Sequence, residues 1–382
     1  MQNYLTPDIL KAEAGALGFF LCGVSNISPP KHFSVFKHWI SENLYARMSY
    51  LARPDTLAKR ADPRLLMPDA RTLISLAFPY FPAHQQPDAP SPGAHGRVAA
   101  YAWGLDYHDI LPGLIQQLVD RLSFSKMGVQ YKIFTDSAPI LERGYAAQAG
   151  LGWIGKNSCL IHPKLGSYFL LAEILTDLEL QTENQPIQDH CGTCQRCIQA
   201  CPTGCIRPDR TLDSSRCISY LTIENKAETP LELQALIGNW VFGCDICQIV
   251  CPWNQHFSHS IEDSPLLGNT PLLWVDLAKE LSGTSQDFEV EYGVRPISRA
   301  HHTGWLRNCI VAAGNLQSFE LISPLVSLFQ HHPEPMIRIQ AAQALARYPI
   351  SVYCPFLVQA LNSESDLQVR RTIQELLQPT SR

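Results

Sequence analysis

At 382 residues the chain exceeds the ~100–200 residues usual for one domain, so two or three domains are expected, each large enough for its own core. Thirteen cysteines, an N-terminus without a signal-peptide or targeting composition, and no apolar run near the ~20 residues of a membrane span argue against a disulfide scaffold and against a membrane protein; a reducing, cytoplasmic setting is expected. The net charge of −5 discourages a nucleic-acid partner, yet from Arg295 onward eight Arg and no Lys face five acids, which makes a +3 end on a −8 remainder. Such an end suits phosphate contacts, and equally a solvated helical face.

In chain order, Thr6-Pro7 ahead of an apolar-periodic run to Leu17 predicts a capped helix with proline in its first turn, ended by Gly18. Phe19 to Val24 follows as a strand. Phe33 to Leu51 reads as a second helix with Trp39, Ile40, Leu44 and Met48 on one face. Thr72 to Phe78 is an apolar strand closed by Pro79 and Pro82, and Pro82 to Pro92 is a proline-rich loop. Gly104 to Tyr107 leads into a helix reaching about Lys126, Val129 to Thr135 makes a strand ending at Asp136, and Ala138-Pro139 opens another helix. Asn157 to Ile161 is expected to pair with Ser167 to Thr176. Helices and strands alternate, so residues 1–180 are expected to form an α/β (α+β) domain, with a sheet order that the alternation does not fix.

Residues 181–260 carry the strongest pattern. Cys191, Cys194, Cys197 and Cys201-Pro202 stand as C-x2-C-x2-C-x3-C-P, and Cys244, Cys247 and Cys251-Pro252 repeat its second half. This is the bacterial ferredoxin pattern for two 4Fe–4S clusters: three thiolates of one turn face one cube, while the fourth points the other way and reaches its neighbour. Cys191, Cys194, Cys197 and Cys251 are therefore assigned to one cluster, and Cys201, Cys244 and Cys247 to the other. Cys217, unassigned between the two runs, is taken as the missing fourth ligand. Paired zinc sites are the alternative, since C-x2-C also suits tetrahedral zinc, although the paired C-x3-C-P ends argue against it. Cys205 reads as packing, and Cys22, Cys159, Cys309 and Cys354 as buried thiols.

Residues 261–382 begin irregularly, from Ser258 to Pro296, with an apolar stretch around Leu272 to Leu281. Short helices then follow over Leu306–Leu316, Leu321–Phe329, Pro335–Arg347, Tyr353–Leu361 and Leu367–Leu377. Ile337-Arg338-Ile339-Gln340 and Leu367-Gln368-Val369-Arg370 open helices in similar places, as repeats that stack into a concave binding surface do. A small helical bundle is the plainer reading.

Three features could carry chemistry. Asp136, in Phe134-Thr135-Asp136-Ser137-Ala138-Pro139, ends an apolar strand where catalytic groups gather, but Asp136 or Ser137 could as well cap the following helix, and the residues alone favour the cap. His108 could donate a proton or ligate, although a lone His is more often structural; Asp106-x-His108-x-x-Leu111 misses the final glycine of the D-x-H-x-x-G cobalamin motif, so His108 is not assigned to cobalt. Gly150-Leu151-Gly152-Trp153-Ile154-Gly155 matches G-x-G-x-x-G in letters only. It follows a helix and precedes a strand, the reverse of a dinucleotide site, so the glycines serve a tight turn or the close approach of a flat ligand.

Taken together, Tyr101 to His108, Asp136-Ser137-Ala138-Pro139-Ile140-Leu141-Glu142-Arg143, Gly150 to Asn157, the cluster cysteines and Cys244 to Asn254 resemble the epoxyqueuosine reductase family over nearly the whole chain. The resemblance implies an N-terminal cobalamin-binding domain, a two-cluster domain, and C-terminal HEAT-like helical repeats that help hold tRNA. It further implies reduction of epoxyqueuosine to queuosine at the wobble position, with Asp136 as the proton donor, which reverses the preference for a cap. Arg60, Tyr101, Lys156, Asn157 and Tyr168 are the expected corrin contacts, and Arg338, Arg370 and Arg371 the expected tRNA contacts. An external low-potential electron donor and a monomer complete the expectation. A corrinoid reductase of a small molecule and a non-catalytic electron carrier are the competing readings; the basic tail tells against the first and the large domain ahead of the clusters against the second.

Overall fold

The computed structural model describes residues 5–90, 93–182, 185–258, 264–267 and 271–378. They pack as two compact units: Met1–Gln86, Gly104–Ser215 and Asp245–Pro271 form one, and Pro87–Trp103, Arg216–Cys244 and Leu272–Arg382 the other.

In the first unit the apolar run Thr72–Pro79 is a strand buried along its whole length, so it needs partners on both edges and cover on both faces. Leu21–Asn26 and Phe169–Thr176 flank it, Tyr131–Phe134 extends the sheet, and every pairing is antiparallel. The alternation of helices and strands is thus realised as α+β, without parallel crossovers. On one face Leu73 and Leu175 meet Ile140 and Tyr145, while Ala77 meets Ala146, Ala149 and Leu151 around the helix Glu142–Gln148. The helix Tyr107–Arg121 lies against the strands Tyr131–Phe134 and Phe169–Thr176. Its Leu111, Ile115, Leu118 and Val119 are wholly buried, and each is worth about 1.5–3 kcal/mol.

Four local expectations change. The helix from Phe33 stops at Ser41, and Asn43 and Ala46 take φ of 56° and 54°. There the Trp39 indole donates to the Leu212 carbonyl (2.7 Å) and the Ser214 amide to Leu44 (2.9 Å), which draws the chain out of the helix. The helix expected at Ala138 starts at Glu142. A residue before proline avoids helical angles, and Asp136, with φ of 49°, has already turned the chain away. Leu160–Ile161 pairs with Trp153–Ile154, not with Phe169–Thr176, which the central sheet takes. Finally, the stretch after Ser258 is ordered where described, as a strand Trp274–Asp276 and helices Leu277–Ser282 and Ser285–Tyr292.

Gly152 shows what the glycine run does. A Cβ there would stand 2.4 Å from the Ile161 carbonyl oxygen, so only glycine lets the two short strands approach.

In the second unit a three-stranded sheet places His95–Val98 between Trp240–Phe242 and Trp274–Asp276. Helices His301–Leu316, Ile322–His331, Pro335–Leu345, Ile350–Leu361 and Leu367–Leu377 follow in the expected order, the first beginning at His301 where Leu306 was expected and the fourth at Ile350 where Tyr353 was. Asp366 caps the last of them by accepting from the Gln368 and Val369 amides. Among the described residues no helix is long and apolar enough to cross a membrane.

Candidate active site

Asp136 lies just beyond the strand Tyr131–Phe134, with its side chain 56% exposed. It caps no helix, since the next one begins at Glu142 with Leu141 as its N-cap. Instead the Asp136 amide donates to Oε1 of Glu142 (2.9 Å), a bond that fixes the left-handed turn and leaves the carboxylate outside. The Tyr107 hydroxyl donates to Asp136 Oδ2 (3.2 Å), and His108 Nε2 stands 3.8 Å from the same oxygen. His108 Nδ1 is 2.7 Å from Asp106 Oδ1, so the imidazole is oriented with its other nitrogen toward Asp136. Two residues expected only as separate candidates therefore meet at one carboxylate.

Two further acids belong here, and neither was assigned a role from the sequence. Burial, and then the negative Asp136, push the Glu142 carboxyl up to about 7. Glu173, in the middle of the strand Phe169–Thr176, is wholly buried; burial first and then Glu142 and Asp136 raise it well above the ordinary range. The signal was present: in Phe169-Leu170-Leu171-Ala172-Glu173-Ile174-Leu175 an acid takes a position that strand periodicity turns inward.

A second locus in the same unit is a cavity of about 310 Å³ lined by Cys191, Cys194, Cys197 and Cys251, the four thiols assigned to one cluster. The crossed partner Cys251 is brought to the other three by the helices Arg196–Ala200 and Ile246–Ile249, which pack together. Burial, and then repulsion between neighbouring thiolates, push the Cys197 thiol up to about 11. Among the described residues no three His, Cys, Asp or Glu side chains converge on a single metal ion. Cys251 packs with Trp153 and Ile161, and Trp253 stands edge-on to Trp153 (5.0 Å, 77°), so one wall of the cavity is aromatic.

Lys156 and Asn157, expected at the corrin, hold this cluster loop: Lys156 Nζ donates to the carbonyls of Gly192 (2.7 Å) and Cys194 (2.8 Å), and Asn157 Nδ2 to that of Cys247 (3.4 Å). Arg60 donates to the Ile140 carbonyl (2.7 Å) and lies 5.3 Å over the Phe36 ring, while its Nε is buried and finds no partner among the described residues. Tyr168 is buried edge-on to Tyr80 (5.7 Å), and its hydroxyl is likewise unpartnered among the described residues. Two orphaned donors of this kind fit a polar ligand such as a corrin edge. Tyr101 belongs to the second unit, half-buried with its ring 6.1 Å from Phe242.

Of the remaining thiols, Cys201 and Cys247 lie in the first unit and Cys217 and Cys244 in the second. The Cys205 thiol, 3.5 Å from Cys201, holds the Cys201 thiol down to about 5, with Thr203 adding to it. Cys205 and Cys309 are buried as expected, whereas Cys22, Cys159 and Cys354 are only half-buried.

The tail's arginines are largely occupied. Arg307 is buried and donates to the carbonyls of Leu221 (2.9 Å), Asn225 (2.6 Å) and Ala227 (2.7 Å). Arg338 makes a two-pronged pair with Glu364 (both 2.9 Å), with the side chains 13% and 10% exposed. Arg370 donates to the Glu364 carbonyl (3.1 Å), and Arg371 pairs with Glu375 at the surface, 81% exposed.

Known proteins resemble the chain in sequence and in fold. The family model described as "4Fe-4S double cluster binding domain" matches residues 190–254, that of the epoxyqueuosine reductase QueG (DUF1730) residues 60–137, and that of HEAT repeats residues 306–378. An epoxyqueuosine reductase of Cellulophaga algicola is 40% identical over 303 residues, 79% of this chain and 96% of the relative. A crystal structure of epoxyqueuosine reductase with an epoxyqueuosine-modified tRNA-Tyr stem loop superposes with a TM-score of 0.87 at 31% identity, over 97% of this chain and 98% of the other. A Bacillus subtilis epoxyqueuosine reductase, with its aspartate catalytic loop swung out of the active site, gives 0.86 at 29% over 97% of each chain. With 40% identity to a relative over most of its length, a double-cluster segment and a helical-repeat tail, the chain belongs to the epoxyqueuosine reductase family.

Proposed function

We propose that this chain reduces epoxyqueuosine to queuosine in tRNA, with Asp136 as the proton donor. The observation that carries the reading is the placement of Asp136: its backbone is held by Glu142 and its carboxyl left open beside His108. Opening an epoxide is easier when the departing oxygen is protonated as the C–O bond breaks, and a carboxyl on a short, backbone-anchored turn can be presented for that. Removing the epoxide oxygen as water consumes two electrons and two protons and leaves an alkene.

The first cluster is assigned to Cys191, Cys194, Cys197 and Cys251; the spacing assigns Cys201, Cys244 and Cys247 to the second, with Cys217 taken as its fourth ligand by elimination. Bound cobalamin would supply low-potential cobalt at the substrate, reduced through the clusters by an external donor. Arg60 and Tyr168 would hold it with their unpartnered donors, while Lys156 and Asn157 would fix the cluster loop beside it. The tRNA is held in part by the helical tail, and a cytoplasmic monomer completes the picture. A small-molecule substrate is not favoured, because a relative of the same fold is known with a tRNA stem loop.

The test is direct. The protein, reconstituted anaerobically with iron, sulfide and cobalamin, is given a strong reductant and an epoxyqueuosine-bearing stem loop. A digest containing the nucleoside lighter by one oxygen supports the reading; unchanged epoxyqueuosine with both clusters and corrin in place refutes it.

A further inference from the structure

The reaction needs two protons per turnover, and Asp136 carries one. Glu173 sits below it in the sheet, opposite Ser75 on one neighbouring strand and Phe134 on the other. Its side chain is wholly buried; no N–H or hydroxyl donor reaches its carboxyl oxygens or Ser75 Oγ among the described residues, and the group its carboxyl pairs with is the carboxyl of Glu142. A purely structural acid is ordinarily satisfied by N–H or hydroxyl donors; two buried carboxyls that face one another must share a proton, because a bare buried carboxylate costs several kcal/mol. Between Glu173 and the open carboxyl of Asp136 stands Glu142, bonded to the Asp136 amide.

We infer that Glu173 and Glu142 hold the second proton and return it to Asp136 within the catalytic cycle. Asp136–H protonates the departing oxygen as the C–O bond breaks. The carboxylate so formed is reprotonated from the Glu142–Glu173 pair, and that proton completes the water. The pair reloads from solvent, and the two electrons come from the external reductant. The elevated positions of both glutamates agree with this. The groups around the pair are Asp136 on its turn, Arg143 and Tyr145 on the helix Glu142–Gln148, Arg60 on the helix Pro54–Ala61, and Asp106, Tyr107 and His108 at the start of the helix Tyr107–Arg121. Arg60 and Arg143 act on Glu142 in the lowering direction but do not overcome its burial. Glu173 acts through its neighbours and is a positioning residue.

This rests on the epoxide-reduction reading, and its test separates the two. In the cluster- and corrin-loaded wild type, the infrared carbonyl stretch of a buried, protonated carboxyl should persist above neutral pH, bleach during a single turnover and recover. Glu173→Gln should remove that band. It should keep turnover within about twofold at acid pH, where solvent protons are plentiful, and lose about tenfold at alkaline pH, so that the alkaline limb moves down. A Gln variant with the wild-type pH profile overturns the inference, and so does a wild-type band unmoved by turnover, which decides the matter even if the variant does not fold. A wild type that converts no stem loop sinks the underlying reading, and this inference with it.

Discussion

At the scale of single residues, geometry separates Asp136 from the helix cap that its sequence context equally suggests. The proline after Ala138 and the positive φ of Asp136 move the helix start to Glu142, and the carboxylate is left without a capping task. Asp136→Asn therefore costs no helix energy and should keep the cluster absorbance, while turnover falls by about 10²–10⁴-fold, as loss of a general acid does. An active Asn variant would contradict the assignment. Glu173 yields a separate prediction in stability. In the unfolded chain its carboxyl ionises in the ordinary range; in the folded protein it stays protonated to higher pH. Over that window the folded state binds more protons, so Glu173 makes the protein less stable as pH rises. Glutamine does not titrate, so the thermal midpoint of Glu173→Gln should gain on that of the wild type between about pH 5 and 8. A constant difference across the window would mean that Glu173 ionises as it does in the open chain.

At the scale of elements, the two halves of the cysteine pattern were legible because a cubane dictates spacing, and Cys251 lines one cavity with Cys191, Cys194 and Cys197, as a crossed assignment would require. The fourth ligand of the other cluster was read from elimination, and iron analysis can test it. Cys217→Ala should lower bound iron by about half, Cys205→Ala should leave it whole, and the reverse result would exchange their roles. Other elements were illegible for physical reasons. The helix from Phe33 has apolar periodicity to Leu51, yet tertiary bonds from Trp39 and to Leu44 override it. The pairing of Leu160–Ile161 depended on Gly152, whose missing side chain admits a neighbouring strand, a matter of space that periodicity does not encode.

At the scale of the whole chain, a count of charge does not locate a binding surface. The +3 excess after Arg295 marks a phosphate-binding tail only if the guanidinium groups face water. Arg307 serves three carbonyls inside the second unit, and Arg338 serves Glu364. Deleting Arg338 leaves a nearly buried carboxylate unpaired, so Arg338→Gln should cost on the order of 2 kcal/mol, between the values for exposed and fully buried pairs. Arg371 differs: at 81% exposure its pair with Glu375 is screened and weak, and its charge is available to a phosphate. If the tail helps hold tRNA, Arg371→Gln should weaken binding of full-length tRNA at low salt and reduce the slope of log affinity against log salt by roughly 0.7–0.9, the share of one phosphate contact. Arg338→Gln, measured well below its own unfolding temperature, should leave that slope unchanged. Equal slopes for all three proteins would place the phosphate contacts elsewhere and leave the repeats with the packing role that most of their arginines already perform.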